Sequence, residues 1–132
     1  MTDKIPADIS RFLLTSIDSV PHLETLLLLR RTAPERWGAR AIAARIYVPE
    51  RAAADILHRL CEAGLLACAD ADEPCYWFSP SLPDLAAIVG RTEGEYSRNL
   101  FGVTALIHSR SERSALDFAD AFKFRKKERD GG

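Results

Sequence analysis

Residues Ile42 to Leu66 read I-A-A-R-I-Y-V-P-E-R-A-A-A-D-I-L-H-R-L-C-E-A-G-L-L, two helical patterns on either side of a tight turn. With Ala39 included, Ala39, Ile42, Ala43 and Ile46 stand at i, i+3, i+4 and i+7, one stripe of a short helix. Tyr47-Val48-Pro49 interrupts it: a proline disfavours helical geometry at the residue before it, and its own fixed φ suits the first turn of a new helix. The second helix, 49–63, has Ala53, Ile56, Leu57 and Leu60 as its apolar stripe and leaves Glu50, Arg51, Ala54, Asp55, His58, Arg59 and Glu62 outward. Gly64 stops it, because glycine takes the left-handed C-terminal position without a Cβ penalty.

Spacing, turn and the following Gly64-Leu65-Leu66 resemble the helix-turn-helix of winged-helix transcription regulators, in particular the MarR-like and related bacterial groups. A hairpin-like segment follows where the family has its wing, with Leu65 to Ala69 and Cys75 to Ser79 flanking Asp70-Ala71-Asp72-Glu73-Pro74. The resemblance covers residues 20 to 79. It implies a mainly α fold with a small β-hairpin wing, a winged helix-turn-helix carrying additional N- and C-terminal helices. It is more specific to fold than to function.

The length of 132 residues, 47% of them hydrophobic, suits one domain spanning 1–132, with a core over 20–79, a helical dimerisation or interaction extension over 81–127 and a disordered tail at 128–132. A net charge of -1 announces no nucleic-acid binder. Local charge is more informative. From Arg30 to Arg59 seven arginines stand against Glu35, Glu50 and Asp55, an excess of +4, whereas Leu60 to Asp84 contains no Lys or Arg and five acids. The N-terminus Met1-Thr2-Asp3-Lys4-Ile5-Pro6 lacks a signal-peptide layout, and no apolar run approaches membrane-spanning length, so a cytoplasmic protein without a membrane partner is expected. Cys61, Cys68 and Cys75 show no zinc-like spacing and read as reduced, small apolar side chains. If the hairpin is symmetric about Ala71 and Asp72, Cys68 and Cys75 face each other directly, close enough for oxidation to join them.

Ahead of the central stretch, Ile9, Phe12, Leu13 and Ile17 mark a helix over Ala7 to Ile17, and Ser19 offers an N-cap to a second helix reaching Thr32. Leu26, Leu27, Leu28 and Leu29 point all round that helix, which is therefore expected to be buried all round. Trp37 suits a very short strand pairing with the wing. In the wing, Tyr76 and Phe78 face the core with Leu65, and Trp77 stands exposed on the other face. Beyond it, Ser81-Leu82-Pro83-Asp84 reads as a capping box opening a long helix from Ser81 to Ser109. Its stripe is Leu82, Leu85, Val89, Thr92, Tyr96, Asn99, Val103 and Leu106, with Gly94 the favoured place for a kink or break. A final helix from Ser114 carries Phe118, Phe122 and Phe124 and a basic end.

No catalytic constellation emerges: His22, His58 and His108 fall in three separate helices, and there is no phosphate loop, H-E-x-x-H or G-x-S-x-G. The chain reads as a non-enzyme without a cofactor or metal. The resemblance implies double-stranded DNA as partner, with helix 49–63 in the major groove, and a homodimer through helices 81–109 and 112–127. Its DNA-facing residues are Arg40, Arg45, Glu50, Arg51, Ala54, Asp55, His58 and Arg59. Arg51 is the best base reader; Arg40, Arg45 and Arg59 suit phosphates, with Arg30, Arg31 and Arg36 more distant. Against the family pattern, Tyr47 stands where the turn commonly has glycine, Pro49 where Ser or Thr is usual, and Asp70, Asp72 and Glu73 make an acidic wing tip. These departures leave a second reading open, a winged helix used to bind a protein partner.

Overall fold

The computed structural model describes residues 4–109; the expected helix from Ser114 and tail at 128–132 lie outside the described residues. Helix α1 spans Ala7–Ser16 and buries Ile9, Phe12 and Leu13, with Ile17 buried just beyond it. Helix α2, Val20–Arg31, opens on Ser19, whose hydroxyl accepts the His22 N–H at 3.2 Å. All four consecutive leucines of α2 are buried, and the helix touches α3 (Ala39–Ile46), α4 (Glu50–Glu62) and strand β2 (Cys75–Phe78). The all-round apolar helix thus forms the centre about which the helix pair and the hairpin are arranged.

Strand β1, Leu66–Ala69, pairs antiparallel with β2, and Trp37 covers the other edge of β2. Trp37 and Tyr76 exchange N–H to carbonyl bonds at 2.8 Å in both directions, and the Trp37 indole N–H donates to the Thr32 hydroxyl at 3.0 Å. The register pairs Leu66 with Phe78, Ala67 with Trp77, Cys68 with Tyr76 and Ala69 with Cys75. The hairpin is therefore centred on Asp72 alone, and the expected facing of Cys68 and Cys75 is overturned. A one-residue slip exchanges the faces of a strand, and this register is the one that puts Leu66 opposite Phe78, toward the core. Cys68 and Cys75 end on opposite faces, and all three cysteines are free thiols.

After the hairpin the expected single helix is two. Helix α5 runs Pro83–Arg98 and packs on α1; α6 runs Leu100–Ser109. The expected capping box does not form: the N-cap is Leu82, in extended conformation, because Pro83 in the first turn disfavours helical geometry one residue earlier. Ser81 instead donates its N–H to the Gly64 carbonyl at 2.8 Å. The break falls at Asn99 rather than Gly94. Asn99 leaves helical geometry (φ -136, ψ 59), and its side-chain oxygen accepts the Gly102 N–H at 3.1 Å, which caps the new helix. Helix α5 continues through Gly94, held by buried Val89, Thr92 and Glu95 on either side. The stripe position Leu82 is exposed, whereas Glu95, outside the expected stripe, is buried with its carboxylate accepting from Arg98 at 2.8 Å.

Candidate nucleic-acid interface

Helix α3 cannot run on into α4, because the next helix must leave at a new angle while Ile42 and the Ala53, Ile56, Leu57, Leu60 stripe stay buried together. The reversal is made by Tyr47 in left-handed geometry (φ 65, ψ 51), with the N–H groups of Tyr47 and Val48 both on the Ala43 carbonyl, at 3.0 and 3.2 Å. Tyr47 thus adopts the conformation that glycine would take there, and its side chain projects into solvent. Pro49 precedes the first helical residue, and no side chain caps the N-terminus of α4. On the outer side of the pair, Arg40, Arg45, Glu50, Arg51, Ala54, Asp55, His58 and Arg59 are all exposed.

The seven arginines of this region sort into two groups. Arg30 and Arg31 both pair with Glu93 of α5, the latter through Nε at 3.2 Å. The guanidinium of Arg36 lies 4.3 Å over the Trp77 ring, so Trp77 is half-buried rather than exposed as expected. Arg59 is held by Asp18, in the loop between α1 and α2, and by Asp55 at 3.1 Å; His58 sits 3.3 Å from Glu62. Arg40, Arg45 and Arg51 make no ion pair among the described residues.

Solved structures with the same arrangement include the homodimeric winged helix-turn-helix DNA-binding domain Mb0332 from Mycobacterium bovis, a possible ArsR-family regulator. It is 18% identical with a TM-score of 0.52, over 76% of this chain and 94% of that one. The adhesin competence repressor AdcR from Streptococcus pyogenes matches at 16% identity and TM-score 0.50, over 94% and 90%. A MarR family transcription regulator matches at 22% and 0.50, over 92% and 83%. The chain has the winged helix-turn-helix fold. No family model and no curated protein matches its sequence.

In the terms of that fold, α4 stands in the place of the recognition helix and β1–β2 is the wing. Between the helix pair, chiefly α3, and the wing lies a cleft of about 610 Å³. Ala41, Ala44 and Ala54 give it apolar walls, Glu50, Asp72 and Glu73 an acidic side, and Arg40 its one cation. The wing tip from Asp70 to Pro74 is exposed throughout. Burial raises the Tyr76 hydroxyl above the ordinary phenol range, with the Cys68 thiol beside it adding to the effect. Sequence reasoning missed the tethers that give four arginines a partner within the chain. Asp18 and Arg59 are 41 residues apart and Arg30 and Glu93 are 63 apart, separations at which no periodicity carries a signal. Of the three histidines that it placed in separate helices, His22 is buried, with Nδ1 accepting the Asp18 N–H at 3.1 Å.

Proposed function

We propose that the chain is a DNA-binding transcription regulator of the bacterial winged-helix type, acting as a homodimer with α4 in the major groove. The sorting of the arginines carries this reading. The three without an ion pair among the described residues, Arg40, Arg45 and Arg51, stand on the exposed side of the helix-turn-helix. A cation already tied to a carboxylate gives up that partner on meeting a phosphate; these three give up nothing but water. In this arrangement Arg51, one residue into α4, reads a base edge, and Arg40 and Arg45 hold phosphates. Arg59 is assigned a smaller part than Arg40 and Arg45, because Asp18 and Asp55 occupy its guanidinium. The homodimer reading draws on the homodimeric state of the Mycobacterium bovis domain and on the exposed Leu100 and Phe101 of α6.

Fluorescence anisotropy on a labelled duplex at two salt concentrations tests the DNA reading, since binding through phosphates must weaken as salt rises. Arg51→Ala is expected to relax sequence preference, and Arg40→Ala or Arg45→Ala to weaken binding to all sequences alike. Neutralising Asp70, Asp72 and Glu73 is expected to tighten non-specific binding if the wing tip approaches the duplex. Sedimentation at micromolar concentration reports the dimer, and a monomer there removes that part. One observation favours a second reading, a protein-binding winged helix: the acidic side of the cleft, Glu50, Asp72 and Glu73, lies on the face that DNA would cover. Salt-independent failure to bind any duplex would turn the conclusion to that alternative.

A further inference from the structure

Two helices of this chain end in the same left-handed geometry. Helix α4 turns off at Gly64 (φ 81), where the Leu65 N–H reaches the Leu60 carbonyl at 3.1 Å. Helix α3 turns off at Tyr47 (φ 65), where the Val48 N–H reaches the Ala43 carbonyl at 3.2 Å. Tyr47 is the only described residue other than glycine with a positive φ. An L side chain there brings its Cβ against the following carbonyl oxygen, a penalty that glycine avoids. No side-chain contact among the described residues offsets it: the Tyr47 side chain is 92% exposed, is absent from the hydrophobic core, and has no hydrogen-bond partner there. Strain retained without an internal gain points outward, to something that the side chain meets.

Its position narrows the partner. Tyr47 lies in the turn that delivers the N-terminal end of α4, the end that enters the groove when a helix of this kind reads DNA. Arg45 stands two residues before it and Arg51 four after, both exposed and without an ion pair among the described residues. A phenol hydroxyl is a neutral donor suited to phosphate oxygens, and its bond to an anionic oxygen is charge-assisted. We propose that Tyr47 is a contact to the DNA backbone, its hydroxyl donating to a phosphate at the margin of the site that α4 occupies. The proposal rests on the DNA-binding reading above and adds to it a residue that releases no counterion. Its loss therefore lowers affinity while the slope of affinity against salt stays as it was, unlike the loss of Arg40 or Arg45.

Two variants of the full chain test it against a fluorescein-labelled mixed-sequence duplex of thirty base pairs, titrated at several salt concentrations. Tyr47→Phe keeps the backbone penalty and removes the donor; it is expected to bind about tenfold more weakly, with unchanged salt slope and unchanged thermal midpoint. Tyr47→Gly removes both, and is expected to bind as weakly as the Phe variant while melting at a higher temperature. Opposite movement of stability and affinity in one variant is a pattern that a merely structural tyrosine does not produce. Wild-type affinity in either variant overturns the contact and leaves the DNA-binding reading standing. A wild-type chain that binds no duplex at low salt overturns both.

Discussion

The ends of α3 and α4 share a backbone turn and differ in their surroundings. At Gly64 the chain is hemmed in: an added Cβ would come within 2.7 Å of the Ser81 hydroxyl and 3.7 Å of Leu85 Cδ1, where the strand-to-helix connection crosses behind α4. At Tyr47 the chain is open to solvent on the face that carries Arg45 and Arg51. Glycine at one end serves folding in two ways, by its φ and by its size. Tyrosine at the other makes the same turn with its backbone, while its side chain packs on nothing. A left-handed helix end is thus a place where the chain either spends nothing and packs, or accepts strain and displays a side chain.

The largest expected effect is at the packed end. Gly64→Ala is expected to lower stability by about 1–2 kcal/mol from the positive φ, and somewhat more while Ser81 keeps its hydroxyl. Chemical denaturation of Gly64→Ala, Ser81→Ala and the double variant separates the two contributions, and strict additivity would mean that Ser81 gives way at no cost. Next comes the third interrupted helix, at Asn99, where Asn99→Ala removes the cap on the Gly102 N–H and is expected to cost about 1 kcal/mol. An unchanged denaturation midpoint there would show that α5 and α6 separate for another reason. Gly94→Ala is expected to stabilise by about 0.5–1 kcal/mol, because a Cβ there meets nothing within 4 Å and the helix runs straight through. Destabilisation would restore Gly94 as a bend. The smallest effect concerns Asp8, whose carboxyl the Arg91 guanidinium holds below the ordinary carboxylate range. A depressed folded pKa gives stability that is complete above about pH 4 and fades as the pH falls through the folded value, so Asp8→Asn is expected to flatten the acid side of a thermal-midpoint profile slightly. A profile identical to wild type would mean that the pair does nothing measurable, as exposed pairs often do.

The helix pair was legible because three independent signals agree there: the 3.6-residue stripe, Pro49, and Gly64 as a stop. Helix α2 and its Ser19 cap were legible for the same reason. Where one signal stood alone it misled. Gly94 is a weak helix former, yet burial on both sides overrides propensity, while Asn99 carries no breaker reputation and acts through a side-chain bond that only the folded geometry supplies. The hairpin register hung on one residue of loop symmetry, which composition does not encode and core burial decides. In the candidate interface, the exposure of Arg40, Arg45 and Arg51 followed from the stripe. The capture of Arg30, Arg31, Arg36 and Arg59 by distant partners did not, because those partners are brought near only by tertiary packing.

The hairpin register has a practical consequence. Since Cys68 and Cys75 lie on opposite faces, and Cys68 alone of the three thiols is exposed, the wing carries a natural attachment point for a fluorophore or spin label. Burial also holds the Cys61 thiol above its ordinary range, which slows its reaction with thiol reagents further. A single dye placed at Cys68 would sit on the wing a few residues from its acidic tip, where its emission or its distance to a labelled duplex reports how near the wing comes to a partner, without a single engineered substitution.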